Sequence, residues 1–420
     1  MSTRPIIKAF ALIALIAAGC ASSKPKPAEA PIPPIDYAWV EMVPAAQAPS
    51  QQMARVITRQ AVCPELNASV QPGMGKRFHT GIEMRIPMKP RAAAAPGSFD
   101  VLSCETPIPV STRAASIAGR KLAILPLEPK RILVLGDTGC RIKGSAVQAC
   151  NDPALWPFPA VAKAAAAWKP DLVIHVGDYY YRESPCPAGN TGCEGAHSGD
   201  NWLPWQEDLF APADPLLQAA PWVFARGNHE DCKRGGKGWD RFLEPRPYAP
   251  ACNEKTDPYP LMLGDHRLWV IDSAAAENIA ASLPATRAAE PKLSWLVTHR
   301  PFLAKGDFES NAPGIDKSLL PKQLQLILTG HLHQFRIHPG SPVEIITGNG
   351  GTKLDSSESA RTPKGDIFSR VDFGFLGLEK LDSDQWRVTE HDRSGAEVLS
   401  CVLQEHAHGE AKLDCASTAD

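Results

Sequence analysis

No Cys-x-x-Cys pair occurs anywhere in the 420 residues, although the chain holds 11 cysteines. That absence argues against a thiolate zinc site and a thioredoxin-type redox pair. A long hydrophobic run is missing too. The apolar stretch Ala9–Ala18 is too short to span a bilayer. Nor is there a charge excess of either sign. Lys and Arg number 44 against 46 Asp and Glu, the net charge is −2, and no basic run stands out. Nucleic acid and other polyanions are therefore not expected partners. Internal repeats are absent as well. What remains is the composition of a globular protein, 44% hydrophobic and 21% charged, long enough for a sizeable core. Its 40 prolines fall largely in connecting segments.

The first nineteen residues read as a signal peptide, with Arg4 and Lys8 ahead of the apolar run. The run ends Ala17-Ala18-Gly19-Cys20, which resembles a bacterial lipoprotein box. That resemblance implies lipidation of Cys20 and a membrane anchor facing the periplasm or cell surface. The alternative is ordinary cleavage at a small-residue site and secretion. Both readings take the chain out of the cytoplasm. Removing Cys20 leaves ten cysteines, an even number in keeping with an oxidising compartment. Connectivity is not deducible from sequence. Short loops suggest Cys140/Cys150, Cys186/Cys193, Cys232/Cys252 and Cys401/Cys415, which leaves Cys63/Cys104. These read as staples rather than redox chemistry.

Residues 20–50 are rich in Pro and Ala and read as an extended spacer. Residues 51–128 carry short runs (Ala54–Thr58, Gly81–Ile86, Phe99–Ser103, Lys121–Leu125) between turn-forming clusters. They read as a small β-rich domain with nothing chemical in it. From 129 to 420 the pattern changes to strands interleaved with helical segments, which argues α/β. Expected strands are Ile132–Leu135, Leu172–Val176, Trp222–Ala225, Leu268–Ile271, Leu293–Thr298, Leu324–Leu328 and Val343–Thr347, with a helix over Phe158–Trp168 and closing hairpins between Phe373 and Leu403.

Several of these strands end in the same manner, at a turn that delivers Asp, Asn or His. The residues so presented are Asp137, Asp178 with Tyr181, Asn228, His299, and His331 with His333. Neighbouring strands of an open sheet bring such residues to one rim. Each has a blander reading alone: Asp137 as a turn or cap, Tyr181 as a packed aromatic. His175, inside a strand, reads as a core residue. Together the seven offer carboxylate, amide, phenol and imidazole, a donor set for metals of intermediate hardness. Seven exceed the needs of one ion, and two ions sharing a carboxylate use them all. Two metals about 3.5–4 Å apart form a clamp for displacement at phosphorus.

Here the chain resembles the calcineurin-like metallophosphoesterases, and within them the purple acid phosphatases. The family's five blocks stand in order as Gly136–Gly139, Gly177–Tyr181, Gly227–Glu230, Leu296–His299 and Gly330–His333, with Leu296 where the family has Val. The resemblance implies a four-layer αββα sandwich over 129–420, behind the small β-rich N-terminal domain. It also implies a binuclear centre. Most of the family carries a ligating histidine where this chain has Gly139, and Tyr181 is available in its place. Holding a tyrosine as phenolate, from an ordinary pKa of about 10, needs a strongly Lewis-acidic ion. The implied centre is Fe(III) held by Asp137, Tyr181 and His333, a divalent Fe, Zn or Mn held by Asn228, His299 and His331, and Asp178 bridging. The implied reaction is in-line attack by metal hydroxide on a small-molecule phosphate ester. His229 then contacts phosphate or protonates the leaving oxygen, with Glu230 orienting it.

Arg182, Arg226 and Arg300 are candidates either to grip phosphate or to serve as structural ion pairs. Trp202 and Trp205 form either an aromatic wall or internal packing. The loops Cys186–Asp208 and Cys232–Cys252 are expected to set specificity. Phosphomonoester hydrolysis leads. A phosphodiesterase or nucleotidase with the same centre is the alternative, and a non-catalytic binding lipoprotein the third reading, against which the presence of His229 counts.

Overall fold

The computed structural model describes residues 35–45, 50–71, 81–287, 293–303, 317–355, 366–406 and 410–415, and these fall in one compact unit. The leader 1–19, Cys20 and most of the spacer lie outside the described residues. Among those described, no helix is long and apolar enough to cross a membrane.

The expected strands form, and their alternation explains the layering. In Arg131–Leu135, Leu133 and Leu135 face one way and Ile132 and Val134 the other, as the two-residue period of a strand requires. The first pair packs under the helix Phe158–Ala167, which buries Phe158, Val161, Ala162 and Ala165 at helical spacing. The second pair meets a second sheet, with Ile174, Val176 and Val223 opposite Val297, Leu326, Leu328 and Ile345. On the far side of that sheet, Leu296 and Ile327 pack against Ile279 and Leu283 of the helix Glu277–Arg287. Helix, sheet, sheet and helix are thus stacked in four layers around three apolar clusters, the expected αββα sandwich.

Both sheets are parallel at their centres. Arg131–Leu135, Leu172–His175 and Trp222–Phe224 run side by side in the first. His266–Val270, Ser294–Val297, Leu324–Thr329 and Val343–Thr347 do so in the second. Parallel strands put all their carboxyl ends on one edge, so the loops after them share a rim. Antiparallel hairpins from Gly374–Lys380 to Lys412–Cys415 close the first sheet on one flank.

The other flank departs from the expected boundary. Tyr37–Val43, read as spacer, is a strand that pairs in parallel with the Trp222–Phe224 strand and antiparallel with Gln51–Thr58. Its Pro- and Ala-rich surroundings hide it in the sequence, yet Trp39 is fully buried against Phe210. The β-rich N-terminal region is therefore continuous with the first sheet through Gln51–Thr58 and Leu102–Pro107. A further four-stranded sheet packs over it on a core including Val40, Val56, Leu66 and Ile117.

This region supports the loop inside Cys232–Cys252. Arg55 donates to the carbonyls of Phe242 and Glu244, both at 2.8 Å, and pairs with the buried Glu41 at 2.8 Å. Arg91 donates to the carbonyls of Asp240, Arg241, Glu244 and Arg246. The four short-loop pairings suggested by the sequence are all disulfides, and the remaining couple, Cys63–Cys104, bridges the N-terminal strands. Replacing Arg91 by Met leaves the carbonyls of Asp240, Arg241 and Arg246 without their donor, while the Glu244 carbonyl and the Glu105 carboxylate keep only Arg55. We expect a loss of about 3 kcal/mol or more in chemical denaturation, with faster amide exchange across residues 236–246 than elsewhere.

Candidate metal centre

Tyr181 occupies the middle of the rim. Its hydroxyl lies 2.8 Å from Asp137 Oδ1, 2.9 Å from Asp178 Oδ2 and 3.0 Å from His333 Nε2. His299 Nε2 stands 3.0 Å from the same Asp178 oxygen, and His331 Nδ1 is 3.2 Å from His299 Nε2. Asp178, His299 and His331 present ligand atoms that all lie within 4.8 Å of one another. Six of the seven residues singled out in the sequence are therefore linked by direct contacts. The seventh, Asn228, is joined through its neighbour, since the His229 amide donates to Asp178 Oδ1 at 2.8 Å.

The backbone bends sharply to present these groups. Asp137, Asp178 and His331 all take left-handed backbone angles, with φ of 54°, 58° and 71°. Such angles cost a non-glycine residue about 1 kcal/mol or more each and cluster at functional sites. The cost is met in part by Glu230, whose carboxylate accepts amides from Asp178, Tyr179, Tyr180 and Gly227 at 2.9–3.2 Å. Burial pushes that carboxyl up to about 8. Glu230 thus organises the turn after the Leu172–His175 strand. It does not orient His229, contrary to the expectation. That place belongs to Glu183, whose Oε1 is 2.6 Å from His229 Nδ1. Glu183 lies two residues past Tyr181, and no local pattern in the sequence marks it.

Glycine at 227 and 139 is a matter of space. A Cβ on Gly227 would lie 2.1 Å from Asp178 Oδ1. A Cβ on Gly139 would lie 2.6 Å from the Tyr179 carbonyl and 3.0 Å from Tyr181 Cδ2. A side chain at 139 would collide with the Tyr179 carbonyl and the Asp208 carboxylate and crowd the edge of the Tyr181 ring.

The donor set fits cations. Asp137 and Asp178 are essentially without solvent exposure, and two buried carboxylates sharing one phenol oxygen need positive charge close by. Asn228 Oδ1 is buried and accepts no hydrogen bond. The imidazoles are pre-aimed: His299 Nδ1 faces the Val176 carbonyl at 3.0 Å and His333 Nδ1 the Lys353 carbonyl at 2.7 Å, leaving Nε2 of each for the centre. Burial opposes ionisation of Asp178, yet His299 and His229 hold its carboxyl well below the usual range. Burial and then the two carboxylates push the Tyr181 phenol well above its usual value, and a strongly Lewis-acidic ion reverses that preference.

The arginines divide. Arg182 is buried and pairs with Asp208 at 2.6 Å and Glu207 at 2.8 Å. Asp208 also accepts the amides of Cys140 and Tyr181, so Arg182 braces the loops behind the centre. Arg226 is also inward, bound to the carbonyls of Glu230 and Asn253 and to Asp272 at 3.3 Å. Neither guanidinium is free for phosphate, which corrects the substrate-binding reading in favour of its structural alternative. Arg300 reaches the rim, with Nη1 at 3.1 Å from His331 Nε2. Arg234, not singled out in the sequence, is there too and donates to the Asn228 carbonyl. Trp202 and Trp205 are fully buried packing, and His175 is a core residue beside Thr138 Oγ1 at 3.0 Å.

Residues 130–335 match the family described as calcineurin-like phosphoesterase. A purple acid phosphatase from yellow lupin (Lupinus luteus) seeds shares the fold, with a TM-score of 0.56 at 15% identity, over 88% of this chain and 74% of that one. PhoD shares it with a TM-score of 0.53 at 13% identity, over 91% and 92% of the two chains. No curated protein matches the sequence. Replacing Gly227 by Ala drives a methyl into Asp178, and we expect bound metal and activity to fall by about 100-fold or more. Elemental analysis of the purified variant beside its near-UV circular dichroism checks this, the second being unchanged if the fold is intact.

Proposed function

From the premise that this chain is a calcineurin-like phosphoesterase, a metal-dependent phosphoric ester hydrolase, we propose that it hydrolyses phosphomonoesters after export. The observation that carries this reading is the meeting of Tyr181 with Asp137, Asp178 and His333 beside an emptied position at Gly139. In this reading Asp137, Tyr181 and His333 hold one ion, Asn228, His299 and His331 the other, and Asp178 bridges them. A phenol among buried carboxylates favours Fe(III) at the first site, and a divalent Fe, Zn or Mn suits the second. When bound, the two ions supply positive charge for the phosphoryl oxygens and acidify a water.

The chain's own groups do the rest. His229 is held at three points: its amide on Asp178, its ring over Tyr181 at 3.9 Å between centroids, and Nδ1 against Glu183. Nε2 is 3.9 Å from Asp178 Oδ2 and faces the centre, where it contacts phosphate or gives a proton to the departing oxygen. Arg300 flanks the site as a cation for the remaining phosphoryl charge, while Arg234, paired with Asp231, braces Asn228 beside it. Ten paired cysteines support export. Lipid anchoring through Cys20 rests on the leader motif alone, and membrane attachment is its consequence.

Metal-loaded protein is tested against a monoester, a bis-ester and a nucleotide. We expect the monoester to turn over fastest, with about two metal ions per chain. A visible charge-transfer band is expected too, one that Tyr181→Phe abolishes. Full metal loading without ester hydrolysis overturns the activity, and full loading without the band overturns the tyrosinate–iron assignment.

A further inference from the structure

A cleft of about 340 Å³ opens beside His229. Glu183 lines it and also touches His229, so one carboxylate separates the cleft from the imidazole. The Cys232–Cys252 loop supplies the opposite wall with Lys233, Arg234 and Lys237. The acids in the cleft are already engaged. Glu183 is 2.6 Å from His229 Nδ1 and 3.2 Å from Lys143 Nζ. Asp200 accepts the indole N–H of Trp205 and the amides of Lys237 and Gly238.

The cations are differently placed. Asp231 grips Arg234 through Nε and Nη2 at 3.0 and 2.9 Å, and the same guanidinium donates to the Asn228 carbonyl. Arg234 is thus rigid and joins cleft to centre. Lys233 and Lys237 are exposed, and neither ammonium has a carboxylate within 4.0 Å among the described residues. The loop bearing them is held by its disulfide, by Asp200 and, from below, by Arg55 and Arg91. A preorganised wall with two uncommitted ammonium groups beside a guanidinium already paired with Asp231 suits a dianion.

We propose that this cleft is a subsite for a second phosphate group, carried at the far end of the substrate's alcohol portion. The proposal rests on the phosphomonoesterase reading, in which His229 meets the departing oxygen. The alcohol then lies on the His229 side of the centre, toward Lys233 and Lys237. Substrates bearing two separated phosphates are favoured over those with an uncharged leaving group.

The test uses the full chain, metal-loaded, and two non-hydrolysable probes, butylphosphonate and butane-1,4-bisphosphonate. Titration calorimetry should find the bisphosphonate bound at least about tenfold more tightly, an advantage that shrinks as salt is raised. In the Lys233→Ala/Lys237→Ala variant the advantage should fall below about threefold, while the monophosphonate affinity stays put. Equal affinities in the wild type, or an advantage that survives in the variant, overturn the subsite. The two readings fail separately. A chain that hydrolyses butyl phosphate yet shows no preference loses only the subsite. One that shows the preference yet hydrolyses no ester loses only the proposed activity.

Discussion

Two carboxylates buried against one phenol are expensive in the absence of a cation, and the rest of the rim is arranged around that cost. Asp137 and Asp178 have almost no contact with solvent, and both reach the Tyr181 hydroxyl. Water cannot solvate them, so their charge must be balanced by protein dipoles, imidazoles or metal. The turns that deliver them show the balance in part. His229 and His331 give backbone amides to Asp178 and Asp137, at 2.8 and 2.9 Å. The remaining deficit is what a pair of cations would fill. Left-handed backbone at three of these positions is the geometric counterpart of the same demand.

The second sheet matters as much as the first. Asp137, Asp178 and Asn228 follow strands of one sheet, while His299, His331 and His333 follow strands of the other. Their spacing depends on how the two sheets face each other, and that is set by the apolar layer between them. A cavity in that layer would be felt at the rim, because close-packed interiors transmit small shifts. The N-terminal strands extend the same logic outward. Arg55 and Arg91 spend their donors on carbonyls of the Cys232–Cys252 loop, so a region without chemistry of its own shapes the wall beside His229.

Much of this was legible from local pattern. Short apolar runs ending in glycine announced the strands and the turns after them. The order of Asp137, Asp178, Tyr181, Asn228, His299, His331 and His333 along the chain points to one edge. Cysteine pairing by short loops matched four bridges, in keeping with the lower entropy of closing short loops, and the remaining couple Cys63/Cys104 is the fifth. The strand Tyr37–Val43 is hidden in the sequence because proline and alanine on either side mask its alternation, and it is fixed by antiparallel pairing along Gln51–Thr58 together with a parallel contact to the Trp222–Phe224 strand.

Sequence by itself determined which side chains gather at the rim, because strand period, turn-forming glycine and donor type are all properties of a few adjacent residues. The assignment of charges needed the tertiary structure. Arg182 and Arg226 look no less available than Arg300 along the chain, yet both are consumed by carboxylates and carbonyls inside it. Glu230 sits next to His229 but serves the turn at Asp178, whereas Glu183, 46 positions before His229, contacts its ring. An ion pair is chosen by distance through space and by the solvent each group gives up. Neither quantity exists until segments far apart in the chain have packed together.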